Sequence, residues 1–198
     1  MLVFPNNVKF SSITPRLVTR TIVNETQSFK QIKSKLPGHR WEFTLKTEAM
    51  DDNKSRGLFG FISSLEGRFN PFQVKLPIYS DSRGVALFAK VNGALSAGTK
   101  TITVDGLAAN QPGSVMAGDF ISFANHSKVY QVAIDADSNA SGQATLTLAA
   151  PLLNAVPNDT NVNTKNVLFT VALSRDIQKF TKKGGLLTRF EFDCEEVF

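Results

Sequence analysis

The sequence predicts a mainly β protein with one helix, in which a smaller β module interrupts a host domain. Three observations lead there: strands that alternate apolar and polar residues at both ends of the chain, one stretch with helical period, and a composition that departs and returns. Residues 1–84 carry ten of the nineteen aromatics and 13 Lys/Arg against 7 Asp/Glu. Residues 85–165 have four aromatics, no arginine, and a surplus of Ala, Gly, Ser, Thr and Asn. Residues 166–198 turn aromatic again, with Phe169, Phe180, Phe190, Phe192 and Phe198. An inserted module brings its own core and leaves the host's terminal segments to pair. The expected division is therefore a discontinuous domain of residues 1–84 plus 166–198, with residues 85–165 inserted.

In Arg40-Trp41-Glu42-Phe43-Thr44-Leu45-Lys46 the apolar residues fall on every second position, the signature of a half-buried strand. The C-terminus repeats the pattern, with Phe190, Phe192 and Cys194 on one face and Arg189, Glu191, Asp193 and Glu195 on the other. Both read as antiparallel strands with one wet side, and their matching character predicts a shared sheet.

Between them the period changes. Leu58, Phe61, Ile62 and Leu65 stand at i, i+3, i+4 and i+7, the apolar stripe of a helix within residues 51–67. Asp51 or Asp52 can cap its start, and Gly67 suits the position past its end. Gly57 and Gly60 each cost about 1 kcal/mol relative to Ala, so this helix needs tertiary support, which covering a sheet would give. Gln73-Val74-Lys75-Leu76 then reads as a short strand closed by Pro77.

The middle region reads as short strands with turn punctuation: residues 100–104 before Asp105-Gly106, residues 120–123 after Gly118-Asp119, residues 128–134, a polar tip over 135–142, and residues 144–148. Such a run suits a small barrel, the five-stranded OB type being one option. Pro151 and Pro157 with Asn158-Asp159-Thr160-Asn161 form the loop back to the host. Lys182-Lys183-Gly184-Gly185 precedes a strand rather than a helix and reads as a turn.

The chain offers little for catalysis. Its two histidines, His39 and His126, fall in different expected domains, and Cys194 is the single cysteine. That leaves no material for a Cys/His nucleophile pair, a zinc set or an intrachain disulfide, and Cys194 is expected as a small buried hydrophobe. No Gly-x-Ser-x-Gly elbow or phosphate-cradling loop occurs. Asp135, Asp137 and Asn139 match the first three ligands of a calcium loop, but the glycine is missing and Leu146 stands where the closing Glu belongs. They read as a solvated hairpin tip. No enzyme, metal or cofactor is expected.

Binding is the remaining class. The formal net charge of +5 divides as +6 over residues 1–84, −1 over 85–165 and 0 over 166–198. A basic face can meet nucleic acid, but a solvated face balanced against a neighbouring subunit explains it more simply. The middle region's aromatics, Phe88, Phe120, Phe123 and Tyr130, sit mostly in strand patterns that favour core packing, and its charge disfavours nucleic acid. Sugar binding needs only an exposed aromatic and a few polar groups; Asn125, His126 and Tyr130 are the candidates. The start, MLVFPNNVKF, lacks the features of a secretory signal, and no segment approaches the ~20 apolar residues of a membrane span.

The order of the pieces carries a resemblance. The strand Arg40-Trp41-Glu42-Phe43-Thr44-Leu45 leads to a helix bearing Leu58-Phe59-Gly60-Phe61-Ile62-Ser63-Ser64-Leu65. There follow Glu66-Gly67-Arg68-Phe69-Asn70-Pro71-Phe72, the insert with Ala117-Gly118-Asp119-Phe120-Ile121 and Lys128-Val129-Tyr130-Gln131-Val132, and a closing aromatic strand. Over essentially its whole length the chain resembles the distal tail proteins of long-tailed (siphophage) bacteriophages. The resemblance implies a host domain of tail-tube type, a β-sandwich or split barrel with a helix, carrying a peripheral OB-like barrel. It further implies a hexameric ring between the tail tube and the tail tip or baseplate, with DNA crossing the lumen only in transit. The implied location is the distal end of the virion tail, after synthesis in the host cytoplasm. Implied partners are the tube and tip-hub proteins, with the barrel available to side fibres or host-surface sugars. The alternative is a carbohydrate-binding or receptor-recognition module of a tail. The family has no active site to transfer. Arg68, Phe69 and Phe72 are candidate ring contacts, although the phenylalanines would equally fill their own core.

Overall fold

The computed structural model describes residues 1–86, 88–177 and 187–198; the expected turn at Lys182-Lys183-Gly184-Gly185, and Phe180, lie outside the described residues. The protein is mainly β, with 43% strand and a single helix among the described residues. The elements in chain order are β1 (Leu2–Val3), β2 (Phe10–Glu25), β3 (Gln31–Thr47), α1 (Asp52–Ser64) and β4 (Phe72–Lys75). Then come β5 (Ala89–Val91), β6 (Thr101–Asp105), β7 (Phe120–Phe123), β8 (Val129–Gln131), β9 (Ala144–Thr147) and β10 (Asn161–Asn163). β11 (Leu168–Leu173) and β12 (Glu191–Glu196) close the chain.

These strands form two six-stranded sheets, ordered β1-β4-β11-β12-β3-β2 and β8-β7-β10-β5-β6-β9. The first sheet takes strands from both ends of the chain. β12 pairs antiparallel with β3, setting Phe192 opposite Leu45 and Cys194 opposite Phe43, so the two alternating strands do share a sheet. β1 joins β4 in parallel at the far edge.

α1 begins where Asp51 caps it, its Oδ1 accepting the Lys54 N–H at 2.8 Å. Of the two candidate caps it is Asp51 that serves. Leu58, Ile62 and Leu65 are buried and Phe61 packs against the same cluster, which is the tertiary support that Gly57 and Gly60 require. The chain leaves the helix through Gly67 at φ +67°, where a Cβ would come within 2.9 Å of the Asp176 carboxylate. Both the backbone angle and the close approach call for glycine.

The second sheet curls until its edge strands meet: Val132, just past β8, bridges Leu148, just past β9. The Ala133 N–H donates to Thr147 O and the Ala149 N–H to Gln131 O there, at 2.7 and 2.8 Å. The strand expected over 128–134 is regular only over 129–131, and beyond it Val132 forms a single bridge to Leu148 at this closure. The sheet's own core includes Ile102, Val104, Ile121, Phe123, Tyr130 and Leu146. β7 is buried on both faces: Ile121 and Phe123 point into that core, while Phe120 packs into the first sheet's core. Phe120 meets Trp41, Phe169 and Tyr79 edge-on, with centroids at 5.0, 5.4 and 5.8 Å.

The element that alternation does not reveal is the β2–β3 hairpin. Every residue from Thr19 to Leu36 is exposed, and β2 borders β3 alone. With both faces wet there is no apolar period to read, and Pro15 within β2 is tolerated because the strand is an edge.

Trp41 is 5% exposed, stacks edge-on to Phe120 and donates its indole N–H to Val129 O at 3.2 Å. Trp41→Ala is expected to cost about 3–5 kcal/mol, measured by urea denaturation followed by circular dichroism, since it removes the chain's only tryptophan fluorophore. A near-neutral value would contradict this packing.

Candidate functional site

The residues that carry chemistry elsewhere are committed here to structure. Cys194 is buried within the first core, and burial pushes its thiol well above the ordinary range, away from the nucleophilic thiolate. Among the described residues no group of three or more His, Cys, Asp or Glu could hold a metal. The Asp135, Asp137 and Asn139 acceptors diverge rather than converge. They take N–H bonds from Ala117 at 2.7 Å, from Gly113 at 2.7 Å, and from Ser141 and Gln143 at 2.9 and 3.0 Å. Instead of an idle hairpin tip, they fasten the β8–β9 connection to the β6–β7 connection and close its own turn.

The sugar candidates lie together, His126 Nε2 standing 3.5 Å from the Tyr130 hydroxyl, but they do not share an open face. Asn125 is exposed and donates to Ala155 O at 3.0 Å. His126 is partly buried against Phe123, and Tyr130 is 1% exposed with its hydroxyl accepting the Leu153 N–H at 3.1 Å. Tyr130 shows no open ring face, so it corrects to a core residue and is no sugar platform. Of the ring-contact candidates, Phe72 is fully buried, edge-on to Phe61 at 5.5 Å, and is likewise a core residue. Phe69 is 79% exposed. Arg68 reaches Glu195 at 3.1 Å, a carboxylate it shares with Arg40 at 2.8 Å.

What stands out instead is the β2–β3 arm. Beyond the pair Thr19/His39 the register shifts, with Gly38 at φ +101°, and the ladder resumes at Thr21/Lys35. Residues paired across an antiparallel ladder share a face. One face of the arm therefore carries Thr21, Lys35, Val23 and Lys33, and the other Ile22, Ser34, Asn24 and Ile32. Ile22 and Ile32 are 46% and 58% exposed. At the tip, Phe29 adopts φ +61° and is 82% exposed. A left-handed phenylalanine is an uncommon and unfavourable backbone state, here held by the Phe29 and Lys30 N–H bonds to Thr26. Residues 10–36 also hold five of the thirteen Lys/Arg found in 1–84, with Glu25 their one acid, so the basic surplus is concentrated here.

The arm springs from a rigid root. His39, Trp41, Lys128, Val129 and Glu196 meet where the two sheets touch. The Glu196 carboxylate accepts the Val129 N–H at 2.8 Å, the Trp41 N–H at 3.0 Å, and a short bond from the Lys128 ammonium. Both side chains of the pair are fully buried. Burial pushes the Glu196 carboxyl up and pulls the Lys128 ammonium down, and each one's charge opposes the shift of the other. Lys128 also lies 5.2 Å from the Phe198 ring centroid. His39 is held down at about 4 by burial, with Lys128 and Lys35 adding repulsion, so it is neutral at pH 7.

The passages between the sheets are pinned as well. The Ser82 N–H donates to Thr164 O at 2.8 Å, and Lys165 donates to Ser82 O and Gly84 O, so the entry and exit segments run side by side. Asp119 binds Ser82, Arg83 and Met116; burial raises its carboxyl, but those donors outweigh it and leave it below the usual range.

No protein-family model matches the chain, and no curated protein matches its sequence.

Lys128→Met leaves a buried carboxylate without its cation and is expected to cost about 3–5 kcal/mol by chemical denaturation. Glu196→Gln leaves one oxygen where the Val129 and Trp41 N–H groups use two, and it strands the buried Lys128 ammonium, so it should cost a similar amount. A near-neutral result for either variant would contradict the assigned roles. His39 gives a pH signature. Between about 6.5 and about 4 the unfolded chain takes up a proton that the folded protein refuses, so stability falls as pH drops through that window. The midpoint temperature should decline there, and His39→Gln should remove that part of the decline.

Proposed function

We propose that this chain is a structural subunit of a phage tail: the distal ring protein that joins the tail tube to the tail tip or baseplate, with the second sheet as a peripheral barrel. The observation that supports it most is the arm. A lone two-stranded ribbon is marginal in water, and an edge strand with unpaired N–H and C=O groups is a template for another chain. Here a sixteen-residue edge strand rises from a rigid root, with apolar Ile22 and Ile32 on one face, cations on the other and Phe29 at the tip. Those features suit a surface that a neighbour covers. β1, at the opposite edge of the same sheet, is also open. One subunit's β2 edge meeting another's β1 edge is a head-to-tail contact, the kind that closes rings when the rotation permits.

The hexameric count, the tube and hub partners, DNA in transit and the distal-tail location come from the sequence resemblance and are part of the proposal. No helix among the described residues is long and apolar enough to cross a membrane. The alternative, a carbohydrate-binding or receptor-recognition module, would place function in the second sheet, where Phe88 is 81% exposed.

Replacing residues 22–34 with Asn-Gly shortens the arm at the paired Thr21 and Lys35 and leaves the root intact. Sedimentation velocity and negative-stain microscopy should find rings for the full chain and folded monomers for the shortened one. A full chain that stays monomeric at every concentration, or a shortened chain that still forms rings, would contradict the arm's role.

A further inference from the structure

We infer that the outer face of the second sheet holds a carbohydrate-binding site centred on Phe88, built to take a hexopyranose unit of a surface glycan. The inference rests on reading this sheet as the ligand-holding part of the protein and does not depend on ring formation. β5 alternates regularly, Ala89 and Val91 inward and Lys90 outward, and Phe88 falls on the outward parity. The pleat thus displays an aromatic ring where a strand ordinarily shows a polar group. The residue is 81% exposed and stands between two hollows, of about 600 and 210 Å³, that share Phe88 and Gly106. An isolated exposed aromatic means little; one that forms the common wall of two clefts is a built feature.

Polar groups around it are available. Asn161 lies opposite Lys90 across the β10–β5 ladder, both are exposed, and neither side chain has a hydrogen-bond or ion-pair partner among the described residues. Asn163 stands one outward position along β10, its amide nitrogen spent on Ser122 at 3.3 Å and its oxygen directed to no protein partner among the described residues. The cleft wall is firm, because Lys165 is tied to the Ser82 and Gly84 carbonyls. Gly106, at φ +80°, turns the chain after β6 in a backbone state that favours glycine.

This combination matches a pyranose. One face of such a ring is made of C–H bonds that pack on the electron-rich face of an aromatic, while its hydroxyls both donate and accept. Two carboxamides and an ammonium beside the ring offer donors and acceptors to those hydroxyls. A nucleobase would also stack, but the region's negative net charge works against a phosphate backbone.

The test uses saturation-transfer NMR on the full chain, with methyl glycosides of glucose, galactose, mannose and N-acetylglucosamine as probes and oligo-dT as the competitor. At least one glycoside should bind with a Kd of about millimolar order, saturated most strongly at its C–H face. Phe88→Ala should weaken it about tenfold and Asn161→Ala about threefold, with circular dichroism and oligomeric state unchanged. Because Phe88 is a surface residue the first variant should fold; were it not to, Asn161→Ala carries the same readout. Absence of saturation for every glycoside, binding that both variants leave intact, or displacement of the sugar by oligo-dT would each overturn the site. Loss of sugar binding with rings intact would leave the ring proposal standing.

Discussion

The carboxylate of Glu196 is the point on which the two halves of this protein turn. It sits in the last strand of the first sheet, accepts the backbone N–H of Trp41 in the neighbouring strand, and reaches across to Val129 and Lys128 of the second sheet. Removing two charges from water costs several kcal/mol each, and their attraction repays this only when further hydrogen bonds satisfy the pair. Here they do: Glu196 takes three donors, and Lys128 also donates to Val129 O at 3.0 Å. The consequence is geometric. An apolar contact alone would let the sheets slide, whereas a directed carboxylate fixes which strand of one meets which strand of the other.

That fixed junction ties together parts that composition separates. Phe120 belongs to the second sheet but packs among Trp41, Tyr79 and Phe169 of the first core. Excising residues 85–165 would therefore strand Glu196 and open the first core, even though the entry and exit segments lie side by side and a short linker could join them. The same junction supports the root of the arm, since His39 and Trp41 lie on β3 where the free ribbon begins. A long exposed hairpin is useful as a grip only when its base is held at a defined angle, and the buried pair supplies that hold.

How much was legible in the sequence follows from the same physics. Strands with one wet face declare themselves by alternation, so Trp41-Phe43-Leu45 and Phe190-Phe192-Cys194 point to a shared sheet, and the stripe Leu58, Phe61, Ile62, Leu65 points to α1. The arm has two wet faces and no such period. Phe72 and Tyr130 could be assigned either to a surface or to a core by type, and burial decides for the core. Glu196 was marked, in retrospect, by parity: it continues the series 190, 192, 194 on the buried face, where a carboxylate must find partners. Phe88 is the reverse case, an aromatic on the wet parity of β5. In each case the informative residue is the one that breaks the local pattern.

The proposed role is positional: a ring subunit at the junction of tail tube and tail tip. Its most direct test is immunogold labelling of intact tailed particles that carry this chain, with an antibody raised against it, read by electron microscopy. The account predicts gold at the junction between the tail tube and the tail tip. Gold along fibres, or no labelling of either intact or disrupted particles, would contradict it.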